Sequence, residues 1–328
     1  MFRTNRPFFI ALVCSWAVLC VAARVYSSQH PQLHWIITAA LPAFLLEVTF
    51  YLASMFQSTR ETFGRIRSRR IQAGLLWISA LLPYLVFSLA GGTFLRNAFY
   101  LLALLTAVFS FWYAVLPRRF AYDAGFLIIG AVPILLRVFQ RIYGAPDEHV
   151  RVDVLGHLMW IRIGVLALLV MREWKPGPFS LWPRALEWRS GLLWFLVWMA
   201  PMLALALALH DVQFEPHAGP WWQVAGLAVG TFFGVLWVLA LGEELFFRGV
   251  MERAMLNAWA SPALAIVVSA VLFGSAHLWF HQFPNWRHAC VAFLLGIACG
   301  IAYWRTGSVR APMVTHALVV TTWRVLFK

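Results

Sequence analysis

The sequence predicts an all-α protein that crosses a membrane many times, and three of its properties support this. Of its 328 residues, 62% are hydrophobic and only 12% are charged, whereas a soluble domain carries about 25% charged residues. The mean hydropathy is +0.75. Apolar runs close to the roughly 20 residues that cross a bilayer recur from one end to the other. We therefore expect a polytopic bundle of about eleven transmembrane helices.

The loops that interrupt the apolar runs define the predicted helices. No internal repeat is evident among them. In chain order the predicted spans are 7–27, 33–56, 71–91, 97–117, 122–142, 155–171, 190–209, 220–241, 262–280, 288–304 and 310–327.

The net charge of +13 would suggest nucleic acid if it lay in one solvated patch. The basic residues instead cluster in short loops, as positive-inside loops do. The clusters are Arg60, Arg65, Arg67, Arg69 and Arg70; Arg118 and Arg119; and Arg172, Lys175, Arg184 and Arg189. We therefore expect the lipid bilayer and not nucleic acid as a partner, with the N-terminus in the cytoplasm.

The segment 172–189, REWKPGPFSLWPRALEWR, is the longest predicted cytoplasmic connection and contains three prolines. It predicts a domain boundary, with a transmembrane helical region of unknown role at 1–180 and a second domain at 190–328. The four cysteines show no CxxC spacing, so neither a disulfide framework nor a thiolate zinc site is indicated. They are Cys14, Cys20, Cys290 and Cys299.

Two adjacent carboxylates, Glu243 and Glu244, lie in an apolar stretch of the second domain. Each costs about 2.5 to 3.5 kcal/mol on insertion scales, so the pair requires an explanation. Glu244 and Arg248 stand at i and i+4 and can neutralise each other. Glu243 lies about 100 degrees away around the helix and faces something else. An alternative is that both glutamates only mark a helix end at the interface, with a snorkelling arginine.

Two histidines lie deep in later apolar spans. His277 follows the small residues GSA, and His316 lies in the last span. Together with a glutamate they form either an acid/base set that activates water or a metal site with two histidines and one glutamate. The remaining histidines are interpreted as interfacial. These include His30, His34, His149, His210, His217, His281 and His288.

The motifs EELFFR at 243–248, FGSAH at 273–277 and RTGSVRAPMVTHAL at 305–318 resemble the three ordered motifs of the CPBP family. This family contains the type II CAAX prenyl endopeptidases and bacterial relatives, including bacteriocin self-immunity proteins. Its pattern is EExxxR, then FxxxH, then HxxxN or HxxxD. The resemblance covers roughly 220–327, about a third of the chain, and does not extend to the first 180 residues.

The resemblance implies a glutamic-type intramembrane protease whose last four helices form the catalytic core. Glu243 would be the base that activates water, and Glu244 and Arg248 the supporting pair. His277 would orient the water, and His316 would contribute to oxyanion stabilisation. No cofactor is expected; the alternative is zinc held by Glu243, His277 and His316.

Two features depart from the expected pattern. Val320 stands where the family has Asn or Asp, so one oxyanion donor is missing, unless Thr315 or Thr321 replaces it. Straight helices would also place His277 about 22 Å from the cytoplasmic end of its span, deeper than His316. A strongly tilted span or a kink at Gly242 would bring the two histidines together.

The sequence therefore predicts an integral, multi-pass intramembrane endopeptidase of the bacterial inner (plasma) membrane, acting on a membrane-anchored or lipidated protein. One alternative is a catalytically weakened binding or immunity protein of the same family. Another is a proton-coupled transporter that uses Glu47 together with the later glutamates and histidines.

Overall fold

The computed structural model describes residues 5–144, 147, 150–280 and 282–327. Within these ranges the chain is helical and contains no strand, which confirms the predicted all-α class. His149 and His281 lie outside the described residues.

The α-helices are numbered in chain order. They are α1 (Arg6–Gln29), α2 (His34–Met55), α3 (Gln57–Gly64), α4 (Arg69–Ala90), α5 (Arg96–Val115), α6 (Phe120–Leu135), α7 (Val138–Ile142), α8 (Val154–Leu166), α9 (Ala185–Ala208), α10 (Trp221–Gly234), α11 (Leu241–Glu244), α12 (Arg253–Ala258), α13 (Pro262–Ala276), α14 (Trp286–Thr306) and α15 (Arg310–Leu326). Three π-helical segments extend or join them, at Ala167–Met171, Val235–Ala240 and Leu245–Glu252.

Nine continuous helices among the described residues are long and apolar enough to cross a membrane. They coincide with nine of the eleven predicted spans. At the other two positions the helices are shorter, because α6 has 16 residues and α15 has 17. The chain is an integral, multi-pass membrane protein.

One segment differs from the predicted topology. The predicted span 220–241 ends too early, because the helix continues to Ala258 and Trp221–Ala258 forms one helical span of 38 residues. The predicted span stopped before the charged residues at 243–252. Arg248 and Glu252 are instead fully buried inside the protein, and no proline interrupts the stretch.

The chain forms two compact units, Met1–Trp174 and Lys175–Lys328. The interior of the first unit contains a buried ion pair between α2 and α8. Arg162 Nε donates to Glu47 Oε1 at 2.6 Å, and Arg162 Nη1 donates to Ser79 Oγ at 2.8 Å. Since Glu47 Oε2 accepts from the same guanidinium, both carboxylate oxygens are satisfied, and the pair joins three helices.

The second unit contains α9 to α15 and is held together by close helix crossings. A Cβ on Gly191 would lie 2.5 Å from Val314 Cβ, and one on Gly296 would lie 2.9 Å from Ala270 Cα. Small residues at such points let helix backbones approach closely in membranes. The start of α15 is buried as well, because Arg310 is 3% exposed and pairs with Glu187 of α9 at 2.6 Å.

Candidate active site

The two central glutamates lie at an irregular point of the longest span. Glu243 and Glu244 belong to the four-residue segment α11, which has a π-helical segment on each side, Val235–Ala240 and Leu245–Glu252. Such π-turns in α-helices are often found at functional sites. Each shifts the register of the side chains that follow. The local backbone therefore sets which direction each carboxylate faces.

Glu244 is completely buried and both of its oxygens face a partner. Its Oε1 lies 2.8 Å from Nδ1 of His316, within hydrogen-bond distance, and its Oε2 lies 3.2 Å from Nε of Arg248. The expected i and i+4 pair with Arg248 is therefore present. The contact with His316 is additional, and it orients that imidazole through its Nδ1 atom.

Arg248 connects this pair to the surrounding helices. Its Nη2 donates to the carbonyl of Gly296 in α14 at 2.9 Å, and its guanidinium lies 4.6 Å from the ring centroid of Phe273 in α13. Glu252, one turn further, approaches the same guanidinium at 3.9 Å. All three charged side chains are fully buried. One cation thus neutralises carboxylates on both sides.

Glu243 differs from its neighbour in exposure and in pairing. Its side chain is 27% exposed, whereas that of Glu244 is 0% exposed. Its Oε2 lies 3.9 Å from Nε2 of His316, beyond hydrogen-bond distance, and accepts no hydrogen bond from any described residue. Of the two adjacent carboxylates, Glu243 therefore has the more accessible side chain, although its Oε2 atom is itself buried.

His277 lies beside these groups on the 3₁₀ turn that follows α13. Its Nδ1 is 2.8 Å from the carbonyl of Phe273, four residues earlier. Because a carbonyl only accepts, Nδ1 carries the proton in this contact, and Nε2 is the nitrogen left for other groups. The Phe273 ring contacts both imidazoles, with centroids 4.6 Å from that of His277 and 5.8 Å from that of His316.

The two histidines that straight helices would keep apart thus both contact the Phe273 ring, and His316 lies 3.9 Å from the Glu243 carboxylate. The course of two helices explains this. Helix α15 starts inside the protein at the buried Arg310, and the Glu243 helix contains π-turns and continues to Ala258. The structure brings together all five predicted site residues. Their catalytic roles stay predictions.

His288, interpreted from the sequence as interfacial, lies in the first turn of α14, is partly exposed and has two partners that the sequence did not predict. Its Nδ1 lies 3.0 Å from Oδ2 of Asp211, and its ring centroid is 5.8 Å from that of His277. Asp211 and His288 are 77 positions apart. No motif or helical spacing links them, so the sequence contains no signal for this pair.

Val320 cannot supply the oxyanion donor of the family motif, and of the two threonines suggested to replace it, only Thr321 remains available. The hydroxyl of Thr315 donates to the carbonyl of Gly191 at 3.0 Å and is therefore used in helix packing. The hydroxyl of Thr321 is buried and makes no hydrogen bond with the described residues.

The group of residues whose donor atoms could hold a metal ion differs from the predicted zinc site of Glu243, His277 and His316. Glu244, Cys299 and His316 offer ligand atoms within 4.8 Å of one another, among the described residues. However, the guanidinium of Arg248 already occupies one oxygen of Glu244. A divalent cation would have to bind beside this fixed positive charge, which disfavours it. This donor set is therefore a poor fit for zinc, and no catalytic step is assigned to a metal.

Residues 221–322 match the family model described as type II CAAX prenyl endopeptidase Rce1-like. No curated protein and no solved structure matches the chain. The matched segment contains all three motifs and all five predicted site residues, and it covers about a third of the chain. The match confirms, for this segment, the resemblance to the CPBP family of CAAX prenyl endopeptidases.

Proposed function

We propose that the second unit is a glutamic-type intramembrane endopeptidase that hydrolyses a peptide bond of a membrane-anchored or lipidated protein. The family match supports a peptidase of the CAAX type. The observation that carries the proposed mechanism is the contrast between the two glutamates. Glu244 is fully buried with close contacts to Arg248 and His316 at 3.2 and 2.8 Å, whereas Glu243 is partly exposed and its contact with His316 is longer, at 3.9 Å.

In this mechanism Glu243 accepts a proton from water, and the resulting hydroxide attacks the scissile carbonyl carbon. The carbonyl oxygen becomes an oxyanion as the tetrahedral intermediate forms. The C–N bond then breaks, and the proton held by Glu243 passes to the leaving amine. Donors placed toward the oxyanion lower the barrier to this step.

The imidazoles provide the polar groups around the reacting atoms. Glu244 holds the His316 ring through Nδ1, so that Nε2 is presented toward Glu243. When His316 carries protons on both nitrogens, Nε2 donates to the oxyanion. His277 offers Nε2 as an acceptor that orients the attacking water.

The decisive experiment compares Glu243→Gln with Glu244→Gln in the full-length protein. Turnover is followed on an internally quenched peptide with a prenylated C-terminal CAAX sequence, and membrane proteomics of Glu243→Ala cells seeks the natural substrate. Glu243→Gln should abolish turnover and leave the amount of folded protein unchanged. Equal activity in Glu243→Gln and wild type would end the proposal.

A chelator distinguishes the metal-free mechanism from a zinc enzyme. We expect activity to survive chelation and purified protein to lack stoichiometric zinc. Loss of activity on stripping, with recovery on addition of zinc, would instead support the zinc alternative.

Val320 favours one second candidate, a binding or immunity protein of the same family with weakened catalysis. Such a protein would keep its fold and its partner in Glu243→Gln, and wild type would show no turnover. A proton relay through Glu47 receives less support, since both of its carboxylate oxygens are bonded to Arg162.

We also infer a bacterial inner membrane location with the N-terminus in the cytoplasm. The arginine-rich connections predicted at 57–70, 117–121 and 172–189 then all lie on the cytoplasmic side, as the positive-inside rule requires.

A further inference from the structure

The turn that carries His277 is held by residues outside the three sequence motifs. Helix α13 ends at Ala276, and His277 begins a short 3₁₀ turn, His277–Trp279. Such turns have poorer hydrogen-bond geometry than an α-helix and are used only in short pieces. A catalytic imidazole on this turn therefore needs support from neighbouring elements.

Two contacts on His288 supply this support. The His288 ring stacks on Phe280, the residue after the turn, with ring centroids 4.2 Å apart and planes 16° apart. Its Nδ1 lies 3.0 Å from Oδ2 of Asp211. The Asp211 side chain is 6% exposed and that of His288 is 22% exposed. We call Asp211, His288 and Phe280 the His277 clamp.

The loop that carries Asp211 is itself fixed to the helix of the other catalytic histidine. The amides of Glu215 and His217 donate to the carbonyls of Leu326 and Val325 at 3.0 and 2.9 Å. These carbonyls belong to the end of α15, which carries His316. The loop therefore joins the His316 helix to the start of α14.

We propose that the His277 clamp positions His277 relative to Glu243 and His316, so that Asp211 and His288 are positioning residues for the reaction. This inference rests on the proposed function. The clamp acts through His277 and not on the substrate, because it contacts the turn and the ring of that residue. A displacement of about 1 Å in a catalytic group can cost about 100-fold in rate.

Substitutions at His288 separate the two contacts of the clamp. His288→Ala removes both. His288→Asn retains a donor for Asp211, and His288→Phe retains a ring to stack on Phe280. His217→Gln is the matched control, because His217 is an exposed histidine in the loop of Asp211.

The turnover test uses full-length protein in phospholipid vesicles that contain an internally quenched, farnesylated CAAX peptide. The kcat per folded molecule of His288→Ala and Asp211→Ala should fall about 10- to 100-fold with little change in KM. His288→Asn and His288→Phe should each recover part of the loss. A purely structural pair would lower the amount of folded protein and leave kcat unchanged, which would overturn the inference.

A second measurement does not depend on activity. The amide of Phe280 donates to the carbonyl of His277 at 3.0 Å, so hydrogen exchange in the turn reports whether the clamp holds it. Exchange should be faster in His288→Ala and Asp211→Ala than in wild type and His217→Gln. Unchanged exchange would overturn the clamp even if turnover falls.

The proposed function and the His277 clamp can be refuted independently of each other. If Glu243→Gln cleaves the peptide as fast as wild type, or if wild type does not cleave it, the protease mechanism is wrong for this substrate. The exchange measurement still decides whether the clamp holds the turn.

Discussion

At the scale of single residues, the site is organised by one buried cation among several carboxylates. Glu244, Arg248 and Glu252 follow one another at intervals of four residues, so Arg248 lies between the two glutamates. Its Nε atom is 3.2 Å from Oε2 of Glu244 and 3.9 Å from Oε2 of Glu252. Buried charges are tolerated only when they are paired and hydrogen-bonded. Glu243 is not among the carboxylates that face this cation, and its contact in the site is with His316 at 3.9 Å. Arg248 thus distinguishes Glu244, which it contacts, from Glu243, the proposed base.

The first prediction concerns the removal of this cation. Arg248→Ala should lower the free energy of unfolding by about 3 to 5 kcal/mol, because it leaves buried carboxylates uncompensated. Denaturant titration of purified protein in detergent measures the loss. Arg287→Ala is the matched control, since Arg287 is exposed. Similar unfolding curves for the two variants would show that the buried pair is not needed for stability.

The second prediction concerns the position of the family's missing amide. Val320→Asn places an amide one turn after His316 on the same face of α15. We expect kcat to increase, within the about 10²- to 10³-fold that one oxyanion donor can supply. Val325→Asn is the control, because Val325 is buried nine residues after His316, on the opposite face of α15, and should only destabilise.

The opposite outcome for Val320→Asn is also informative. Slower turnover, together with a collapse of activity in Thr321→Val, would show that the Thr321 hydroxyl already serves as the donor. Wild-type rates in both variants would remove this part of α15 from the mechanism.

These residues also show what the sequence alone could predict. Glu244 and Arg248 are four positions apart, so helical geometry predicts their pairing. The contacts of Glu244 with His316 and of Asp211 with His288 join residues 72 and 77 positions apart. Such contacts depend on how the helices pack, and a sequence pattern of period 3.6 contains no information about packing between distant helices.

At the scale of elements, the site depends on where helices approach closely. Helices α13 and α14 cross at Gly296, where an added Cβ would lie 2.9 Å from Ala270 Cα. Arg248 also donates to the carbonyl of Gly296. The same crossing therefore sets the position of α13, which precedes His277, and the environment of the buried arginine.

The sequence could predict the existence of these elements better than their ends. Apolar length predicted the spans, but the predicted span 220–241 stopped before the charged residues at 243–252, which the helix includes. Burial against other helices overrides the preference of these charged side chains for water. This burial is a property of the packed unit and not of the segment alone. The π-turns at Val235–Ala240 and Leu245–Glu252 likewise have no sequence signature.

The third prediction compares two glycine substitutions. Gly296→Ala should reduce both stability and turnover, because the α13 backbone must move. Gly226→Ala should be neutral or slightly stabilising, since an added Cβ there meets nothing within 4 Å and alanine favours a helix over glycine by about 1 kcal/mol. Thermal unfolding and peptide turnover measure both effects. A neutral Gly296→Ala would contradict the assigned role of this crossing.

At the scale of the whole molecule, the candidate site and the family match both lie in the second unit. The matched segment 221–322 lies within Lys175–Lys328. Helix α9 precedes the match but belongs structurally to this unit. It contributes Glu187 to the buried Arg310 and the carbonyl of Gly191 to Thr315. The smallest functional piece should therefore be larger than the matched segment.

The fourth prediction follows from this difference. A fragment of residues 175–328 should fold in the membrane and retain hydrolysis that depends on Glu243, because the contacts that form the site all lie within it. A fragment of residues 221–328 should fail to fold, because Arg310 would be left buried without Glu187, and the loss of one partner from a buried pair costs about 3 to 5 kcal/mol. Arg310→Met in the shorter fragment should recover part of the folded protein, because it removes the unpaired charge. The measurements are the yield of monodisperse protein in detergent and turnover of the prenylated peptide, each beside its Glu243→Gln counterpart. If the 175–328 fragment is folded but inactive while the full-length protein is active, the first unit contributes to catalysis or to substrate binding, and the second unit alone does not hold the complete site.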